Sequence, residues 1–252
     1  MSLSILIPCF NEASRGDFSQ RIDQVMEYLK DSGINDYEVI FINDGSVDDT
    51  KNIIDEKKLL YKPYIKCVSY KENVGKAYAL KKGILVSEKK YILMMDADLS
   101  VPLEYIGKFY SKMRGNICLV GSRRLEKSKI TIEQKSNRRF IGYLSRIYTR
   151  YILRINIMDT QCGFKMFPRR SARKIIPYIR SKRWLFDIEL LIYLKAANIK
   201  LYEVPIVWGT DLVSILRSSE AIKSSVKEMI IIFFTKDISS YYIRRSIHGG
   251  NK

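Results

Sequence analysis

The first 125 or so residues alternate between apolar strand-like runs and helix-like stretches, and this alternation constrains the fold more than any other feature of the chain. Helix-like stretches lie at roughly 18–31, 48–60, 74–88 and 103–114. Strands that are apolar throughout and separated by helices indicate an α/β fold, with a mostly parallel sheet covered by helices on both faces. The predicted strands are Leu3–Ile7, Tyr37–Ile42, Tyr64–Tyr70, Tyr91–Met95 and Ile117–Gly121.

Polar clusters follow three of these strands. The first strand ends in Pro8-Cys-Phe-Asn-Glu12, the second in Asn43-Asp44-Gly45-Ser46 and the fourth in Asp96-Ala-Asp98. In a parallel sheet the carboxyl ends of the strands share one edge, and ligands bind beyond that edge where the strand order reverses. We therefore expect the three clusters to form one site.

The pair Asp96 and Asp98 carries the clearest chemical signal. Two carboxylates at a strand end can hold Mg²⁺ or Mn²⁺, which prefer oxygen ligands and usually bind substrate phosphates as well. Asp-x-Asp alone also occurs in ordinary surface turns, and Asp44-Gly45-Ser46 would by itself pass as a turn that caps a helix. Lys76 follows Gly75 at a predicted helix start, a position that favours anions.

Four stretches occur in the order and spacing of the donor half of a family 2 glycosyltransferase, which this sequence resembles: SILIPCFNE, FINDGSVDDT, NVGKAYALKKG and MMDADLSVP. The resemblance implies the GT-A fold, a Rossmann-like α/β architecture, and an inverting transfer from a nucleotide-sugar. It also implies that Asp96 and Asp98 bind the diphosphate-bound metal, Mg²⁺ or Mn²⁺, and the sugar. The nucleoside pocket would be lined by Pro8, Glu12, Asp44 and Lys76.

The second half is similar to the polyprenyl-phosphate members of that family, above all to the dolichyl-phosphate glucosyltransferases. The similar segments are Gly121-Ser-Arg123, Met158–Lys165 and Arg183–Leu190. The resemblance implies a polyprenyl or dolichyl monophosphate as acceptor and UDP-glucose as donor, with GDP-mannose as the alternative. The residues that it would place against substrate are Arg123, Asp159, Gln161 and Lys165, although Arg123 and Lys165 could also be ordinary solvated cations.

A phosphate acceptor needs no general base because it is already ionised near neutral pH. A sugar hydroxyl would need one, and Asp187 or Glu189 lies where relatives that glycosylate hydroxyls carry a carboxylate. A glycosyltransferase acting on a glycan hydroxyl, with Asp187 as the catalytic base, is therefore the main alternative. The interpretation that we slightly prefer for Asp187 is a cap on its own helix.

The formal net charge of +17 indicates an anionic partner, although a high net charge can also serve solubility alone. Segment 137–155 is predicted to be an amphipathic interfacial helix, because Arg139, Arg146, Arg150 and Arg154 share one stripe beside an apolar one. We expect it to bind an anionic membrane surface, although a core helix with a basic outer face would have the same pattern. A second, weaker contact or a dimer surface is predicted at Met229–Phe234 and Tyr241–Arg245.

Several classes of protein are disfavoured. A nucleic-acid-binding protein would not place three acidic clusters on one sheet edge, where they would repel the phosphate backbone. By resemblance, a nucleotidyltransferase would carry a Gly-rich first loop in place of Pro8-Cys-Phe-Asn-Glu12. A binding module without catalysis would not need both Asp96 and Asp98. The only histidine is His248, which removes most mechanisms that depend on histidine, and four separated cysteines do not suggest a zinc site.

The predicted organisation is one domain over 1–252, with a donor half at 1–125, an acceptor half at 126–215 and a C-terminal helix and tail at 216–252. No run approaches the roughly 18 apolar residues of a spanning helix, and the N-terminus is interpreted as a strand. We therefore expect a cytoplasmic protein, peripheral at the cytoplasmic face of a membrane, with a homo-oligomer or a membrane-protein partner possible.

Overall fold

A computed structural model describes residues 1–131, 148–183, 185–209 and 219–248. Its centre is a seven-stranded sheet in the order β3-β2-β1-β4-β7-β5-β8, in which β7 alone runs antiparallel to its neighbours. A two-stranded sheet pairs β6 with β9. The strands are β1 (Leu3–Cys9), β2 (Tyr37–Asp44), β3 (Ile65–Tyr70), β4 (Tyr91–Met94), β5 (Ile117–Ser122), β6 (Lys129–Ile130), β7 (Lys165–Pro168), β8 (Lys200–Pro205) and β9 (Val207–Trp208).

Helices cover both faces of the large sheet, as the apolar strands predict. The α-helices are α1 (Phe18–Asp31), α2 (Thr50–Leu60), α3 (Lys76–Val86), α4 (Glu104–Lys112), α5 (Arg169–Ile175), α6 (Phe186–Ala196) and α7 (Ser219–His248). Short 3-10 turns lie at Ala13–Arg15 and Ile176–Tyr178. The mixed α/β class, the mostly parallel sheet and the C-terminal helix are confirmed.

The core is divided by the sheet into two layers, because successive side chains of a strand point to opposite faces. Ile5 and Leu93 pack on one face with α1, α2 and α4, whereas Leu6 and Ile92 pack on the other with α3, α5, α6 and α7. Strands from the predicted donor and acceptor halves share this one sheet, since β7 lies between β4 and β5.

The strand order reverses at β1, which pairs with β2 on one side and β4 on the other. Open α/β sheets bind ligands at such a switch point. Glu12 follows β1 and the Asp96–Asp98 turn follows β4. The topology therefore brings two of the predicted polar clusters to the same crevice.

The prediction for 137–155 is wrong at its C-terminal end, and residues 137–147 lie outside the described ranges. Tyr148–Ile152 form a π-helical turn, and Arg154, two residues beyond it, has a φ of 54° that is incompatible with a continuing helix. The amide of Ile155 donates to the carbonyl of Thr149 at 3.0 Å. Ile155 is buried in the core instead of lying on an exposed apolar stripe, whereas Arg150 and Tyr151 are exposed.

Among the described residues, no helix combines the length and the apolar character that crossing a bilayer requires.

The distance between α3 and the sheet is determined by Gly83. A Cβ atom at this position would lie 3.0 Å from Cδ1 of Ile42 and 3.2 Å from Cδ1 of Leu6. Such contacts are tighter than normal packing allows, so the glycine lets α3 approach the strands closely. This approach matters for the site because α3 begins at Lys76.

We expect Gly83→Val to destabilise the protein by about 1–3 kcal/mol, since overpacking a close-packed core forces neighbouring side chains to shift. Urea unfolding followed by circular dichroism measures the change. Val86→Leu is the control, because Val86 is partly exposed on the same helix. Equal stability of Gly83→Val and the wild type would show that α3 lies farther from the sheet.

Candidate active site

Asp96 lies two residues after the end of β4 and contacts the first residue of α3. Nζ of Lys76 donates a hydrogen bond to Oδ1 of Asp96. Burial would raise the pKa of Asp96, but the charge of Lys76 and this hydrogen bond outweigh it and hold the pKa below its ordinary value. Asp96 is therefore ionised at neutral pH and tied to the start of α3.

Asp98 has the opposite electrostatic character. Burial, followed by the negative charge of Asp96, raises its pKa above the ordinary value, although the amide of Ser100 donates to Oδ1 at 3.0 Å. The pKa of Glu12 is also raised, first by burial and in part by the charge of Asp98. Three carboxylates thus share a region in which additional positive charge would be stabilising.

These carboxylates fit a divalent cation that also binds a substrate phosphate. Mg²⁺ and Mn²⁺ in such sites take one or two protein carboxylates and complete their coordination with phosphate oxygens and water. The described residues contain no group of three or more His, Cys, Asp or Glu side chains with the geometry of an all-protein site. Asp96 and Asp98 supply the two protein carboxylates that such a site needs.

Arg21 supports the Asp96–Asp98 turn, although the sequence analysis did not single it out. Its Nη1 donates to the carbonyl of Ala97 at 2.6 Å, its Nη2 to Asp17 at 2.5 Å, and Oε2 of Glu12 lies 3.5 Å away. Arg21 is buried beside the apolar residues of α1. An arginine inside the apolar stripe of a predicted helix is the signal that could have revealed it.

Asp44 uses its carboxylate within the protein. It accepts hydrogen bonds from the amides of Val74 and Gly75, each at 2.9 Å, and from Nδ2 of Asn73 at 3.1 Å. The start of α3, a position that favours anions, is therefore occupied by an anion of the protein itself. Pro8 lies on the neighbouring strand, paired with Ile42.

Arg123 and Asp159 form a two-pronged ion pair. Nε of Arg123 lies 2.7 Å from Oδ2 and Nη2 lies 2.8 Å from Oδ1. The guanidinium also lies 5.4 Å from the ring centroid of Trp208. Because the buried carboxylate of Asp159 is engaged by Arg123, we interpret Asp159 as a residue that orients Arg123.

Glu203 and Gly163 hold segment 158–165 beside the carboxylates. Glu203 on β8 accepts hydrogen bonds from the amides of Met158 at 2.9 Å and Asp159 at 3.1 Å. A Cβ atom on Gly163 would lie 2.3 Å from Oδ2 of Asp96. Gln161 is exposed in the same segment. The acceptor-half motif thus lies directly against the donor-half motif.

Lys165 and Asp187 form a buried ion pair. Nζ of Lys165 lies 2.6 Å from Oδ1 of Asp187 and also donates to the carbonyl of Cys162. Lys165 has no solvent-exposed surface. The preferred interpretation of Asp187 as a helix cap is wrong, because Leu185 holds the N-cap position of α6 and the Asp187 carboxylate faces Lys165 instead.

Glu189 is wholly buried and accepts hydrogen bonds from the amides of Arg180 and Ser181. These bonds tie the start of α6 to the preceding loop. They also occupy the carboxylate, so the geometry gives Glu189 a structural role.

The sequence-predicted residues therefore form two groups that meet at Asp96. The charges of Arg123 and Lys165 help to lower the pKa of Asp96, and the charge of Asp187 acts on Lys76. The arrangement offers carboxylates that can bind a cation. Near Asp96 it also offers the positive charges of Lys76 and Arg123, which can bind phosphate. Such a site can bind a sugar diphosphate and stabilise the departing diphosphate.

We expect Gly163→Ala to weaken Mn²⁺ binding by about 10- to 100-fold, as substitutions that disturb the supports of a metal ligand typically do. The added methyl group would displace the Asp96 carboxylate. Electron paramagnetic resonance titration of Mn²⁺ with a nucleoside diphosphate present measures the affinity, and Met158→Ala, in the same segment but exposed, is the control. Unchanged Mn²⁺ affinity in Gly163→Ala would contradict the assignment of Asp96.

Proteins of known structure share this fold. Glucosyl-3-phosphoglycerate synthase from Mycobacterium tuberculosis, in complex with uridine diphosphate, superposes with a TM-score of 0.63 at 16% identity, covering 93% of this chain and 79% of that one. A mannosyltransferase from Pyrobaculum calidifontis, in complex with GDP-Man and Mn²⁺, has a TM-score of 0.58 at 14% identity, covering 94% and 64%. At these identities the likeness shows the GT-A fold alone.

Relatives by sequence are more similar. A dolichyl-phosphate beta-glucosyltransferase of Dictyostelium discoideum is 34% identical over 221 residues, 82% of this chain and 66% of that protein. One of Trichomonas vaginalis is 30% identical over 259 residues, 98% of this chain and 77% of that protein. This chain thus spans about two thirds to three quarters of these relatives. The family description "Glycosyl transferase family 2" matches residues 4–176, and the chain accordingly belongs to glycosyl transferase family 2.

Proposed function

We propose that the protein transfers glucose from UDP-glucose to a polyprenyl or dolichyl monophosphate at a membrane surface, with inversion at the anomeric carbon. The observation that carries the proposal is the meeting of Asp96 and Asp98 with the cations Lys76 and Arg123 at the switch point of the sheet. The similarity to dolichyl-phosphate beta-glucosyltransferases supports the sugar and the acceptor.

In the proposed reaction a phosphate oxygen of the acceptor attacks the anomeric carbon, and the bond from that carbon to the donor diphosphate breaks. The nucleoside diphosphate leaves with the bonding electron pair. Asp96 and Asp98 would hold a divalent cation, which when bound neutralises charge on the leaving diphosphate. A relative in fold contains Mn²⁺ together with UDP-Glc, which supports this choice of metal.

The protein's own cations, Lys76 and Arg123, would stabilise the remaining negative charge of the two substrates. Lys76 holds Asp96 in place and adds positive charge beside the diphosphate. Arg123, oriented by Asp159, presents a planar guanidinium to phosphate, for which its fork geometry is suited. An acceptor phosphate monoester has a second pKa of about 6 and is mostly ionised at neutral pH, so it needs no general base.

The pairing of Asp187 with Lys165 favours the phosphate acceptor over a hydroxyl acceptor. A general base must accept a proton from the attacking hydroxyl in the reactive complex. Oδ1 of Asp187 already accepts a hydrogen bond from a buried ammonium group. We propose that Asp187 and Lys165 support the site by their ion pair.

An assay of sugar transfer to a lipid phosphate tests this proposal. The purified protein is incubated with Mn²⁺, polyprenyl phosphate in detergent and radiolabelled UDP-glucose, UDP-galactose or GDP-mannose, and label is counted in the organic phase. We expect metal-dependent label from UDP-glucose and none from Asp98→Asn, which loses a metal ligand. Label only from GDP-mannose would change the donor, and transfer only to a water-soluble hydroxyl would contradict the acceptor.

The membrane contact is proposed on the outer face of α7. Phe234 is 69% exposed and Ile238 is 63% exposed. Ile230, Tyr241 and Tyr242 are exposed as well, while Ile232 and Ile243 on the opposite side are buried in the core. A surface helix that is apolar on both sides needs a second apolar partner.

The basic residues of α7 support an anionic lipid surface as that partner. Lys227, Arg244 and Arg245 are exposed near the two ends of the described part of this face. Each cation near an anionic leaflet contributes about 1 kcal/mol. Two copies of the helix packed antiparallel would bring these cations together, which is unfavourable.

We expect the double variant Phe234→Ser with Ile238→Ser to bind anionic vesicles more weakly, because an apolar side chain contributes about 1.5–3 kcal/mol when fully buried. Co-sedimentation with phosphatidylcholine vesicles containing phosphatidylglycerol measures binding. The double variant Leu59→Ser with Leu60→Ser is the control, since these leucines are exposed on α2. Unchanged vesicle binding would contradict the membrane contact. So would a wild-type dimer that becomes monomeric in the α7 variant but not in the α2 variant.

A further inference from the structure

Glu228, on α7, contacts a loop near the active site. Its Oε1 accepts hydrogen bonds from the amides of Lys182 at 3.0 Å and Arg183 at 3.2 Å, and its Oε2 accepts one from the amide of Leu185 at 3.2 Å. Hydrogen bonds from amides to a carboxylate are stronger than those between neutral groups. One side chain of the C-terminal helix therefore binds three amides of this loop.

The same loop is held from its other end by Glu189. That carboxylate accepts hydrogen bonds from the amides of Arg180 and Ser181, and both Glu189 and Ser181 are buried. Two glutamates on different helices thus accept hydrogen bonds from five backbone amides of loop 180–185. Glu189 belongs to α6, which directly follows the loop, whereas Glu228 comes from a distant part of the sequence.

The loop packs directly against the start of α3. A Cβ atom on Gly75 would lie 2.7 Å from Cγ of Arg183 and 2.7 Å from the carbonyl oxygen of Lys182. Gly75 has a φ of 116°, a conformation that side-chain-bearing residues rarely adopt. The next residue, Lys76, donates to Asp96. A continuous series of contacts therefore runs from Glu228 through the loop and Gly75 to the carboxylates.

We infer that Glu228 is a positioning residue for the catalytic centre. By binding the amides of residues 182, 183 and 185 it presses the loop against Gly75, and this contact keeps Lys76 in place at Asp96. The inference rests on the proposed function, because the activity that it governs is the transfer reaction. It adds that the helix proposed to meet the membrane also holds part of the donor site in its active geometry.

The loss of the carboxylate has a definite physical consequence. Three amides lose their acceptor, the loop is released from Gly75, and the first turn of α3 can move. A displacement of about 1 Å at a catalytic group can reduce the rate by about 100-fold. Because Asp96 is paired with Lys76, the effect reaches the donor diphosphate without any contact between Glu228 and substrate.

The test uses Glu228→Ala and Glu228→Gln in the full chain, with Asp237→Asn as the control. Asp237 is on the same helix, and its side chain is 86% exposed. Hydrogen exchange of the amides at 182, 183 and 185 measures whether their hydrogen bonds to Glu228 are formed. The kcat and KM for UDP-glucose measure the effect on catalysis and on donor binding. We expect faster exchange in Glu228→Ala, a fall in kcat of about 10-fold or more, and an intermediate result for Glu228→Gln, which keeps one carbonyl oxygen.

A merely structural role would lower the melting temperature and leave kcat per folded molecule unchanged, and that result would overturn the inference. Unchanged exchange of the three amides would overturn it as well. Neither effect is expected in Asp237→Asn, because its carboxylate does not contact the loop.

Gly75→Ala gives a second, independent test. The added methyl group pushes the same loop away, so the effects of Gly75→Ala and Glu228→Ala on log kcat should be non-additive in the double variant. Full additivity would show that Glu228 does not act through Gly75. If the wild-type protein transferred no sugar to lipid phosphate, the proposed function would fail, and amide exchange together with UDP affinity would still decide the role of Glu228.

Discussion

The ion pair between Lys76 and Asp96 connects the start of α3 to the turn that follows β4, and much of the surrounding structure serves to hold it. Asp96 follows β4, the strand next to the switch point, whereas Lys76 begins α3 on one face of the sheet. Gly83 lets α3 lie close enough to the sheet for the pair to form, and Gly163 leaves room for the Asp96 carboxylate. The pair keeps Asp96 ionised, while burial, followed by the neighbouring negative charge of Asp96, raises the pKa of Asp98.

Carboxylates that accept hydrogen bonds from backbone amides recur throughout the site. Asp44 binds the start of α3, Glu203 binds residues 158 and 159, and Glu189 and Glu228 share loop 180–185. Loops at the carboxyl edge of a parallel sheet lack the regular hydrogen bonds of strands and helices. Charged acceptors supplied by other elements therefore fix loop positions to which the functional side chains are attached.

The acceptor side differs from the donor side in how its charges are used. Lys165 and Arg123 each have a carboxylate partner inside the protein, and the partner of Lys165 explains how this cation remains wholly buried. Removing one partner of such a pair leaves an uncompensated charge, so both members act as a unit. Exposed cations and apolar side chains lie instead on α7, where the proposed membrane contact would use them.

The sequence alone determined the layered α/β fold, because the period of apolar residues and the turn chemistry are local properties that directly reflect strands and helices. It also determined that Glu12, Asp44, Asp96 and Asp98 would share one edge, since parallel strands leave no other arrangement. Only the tertiary structure decided which side chains those groups meet. The pairing of Asp187 with Lys165, the support of the Asp96–Asp98 turn by Arg21 and the reach of Glu228 to loop 180–185 join residues far apart in sequence. The burial of Ile155 in the core was likewise decided by the tertiary structure, because an apolar side chain in the sequence is equally compatible with a membrane-facing surface and with a protein core.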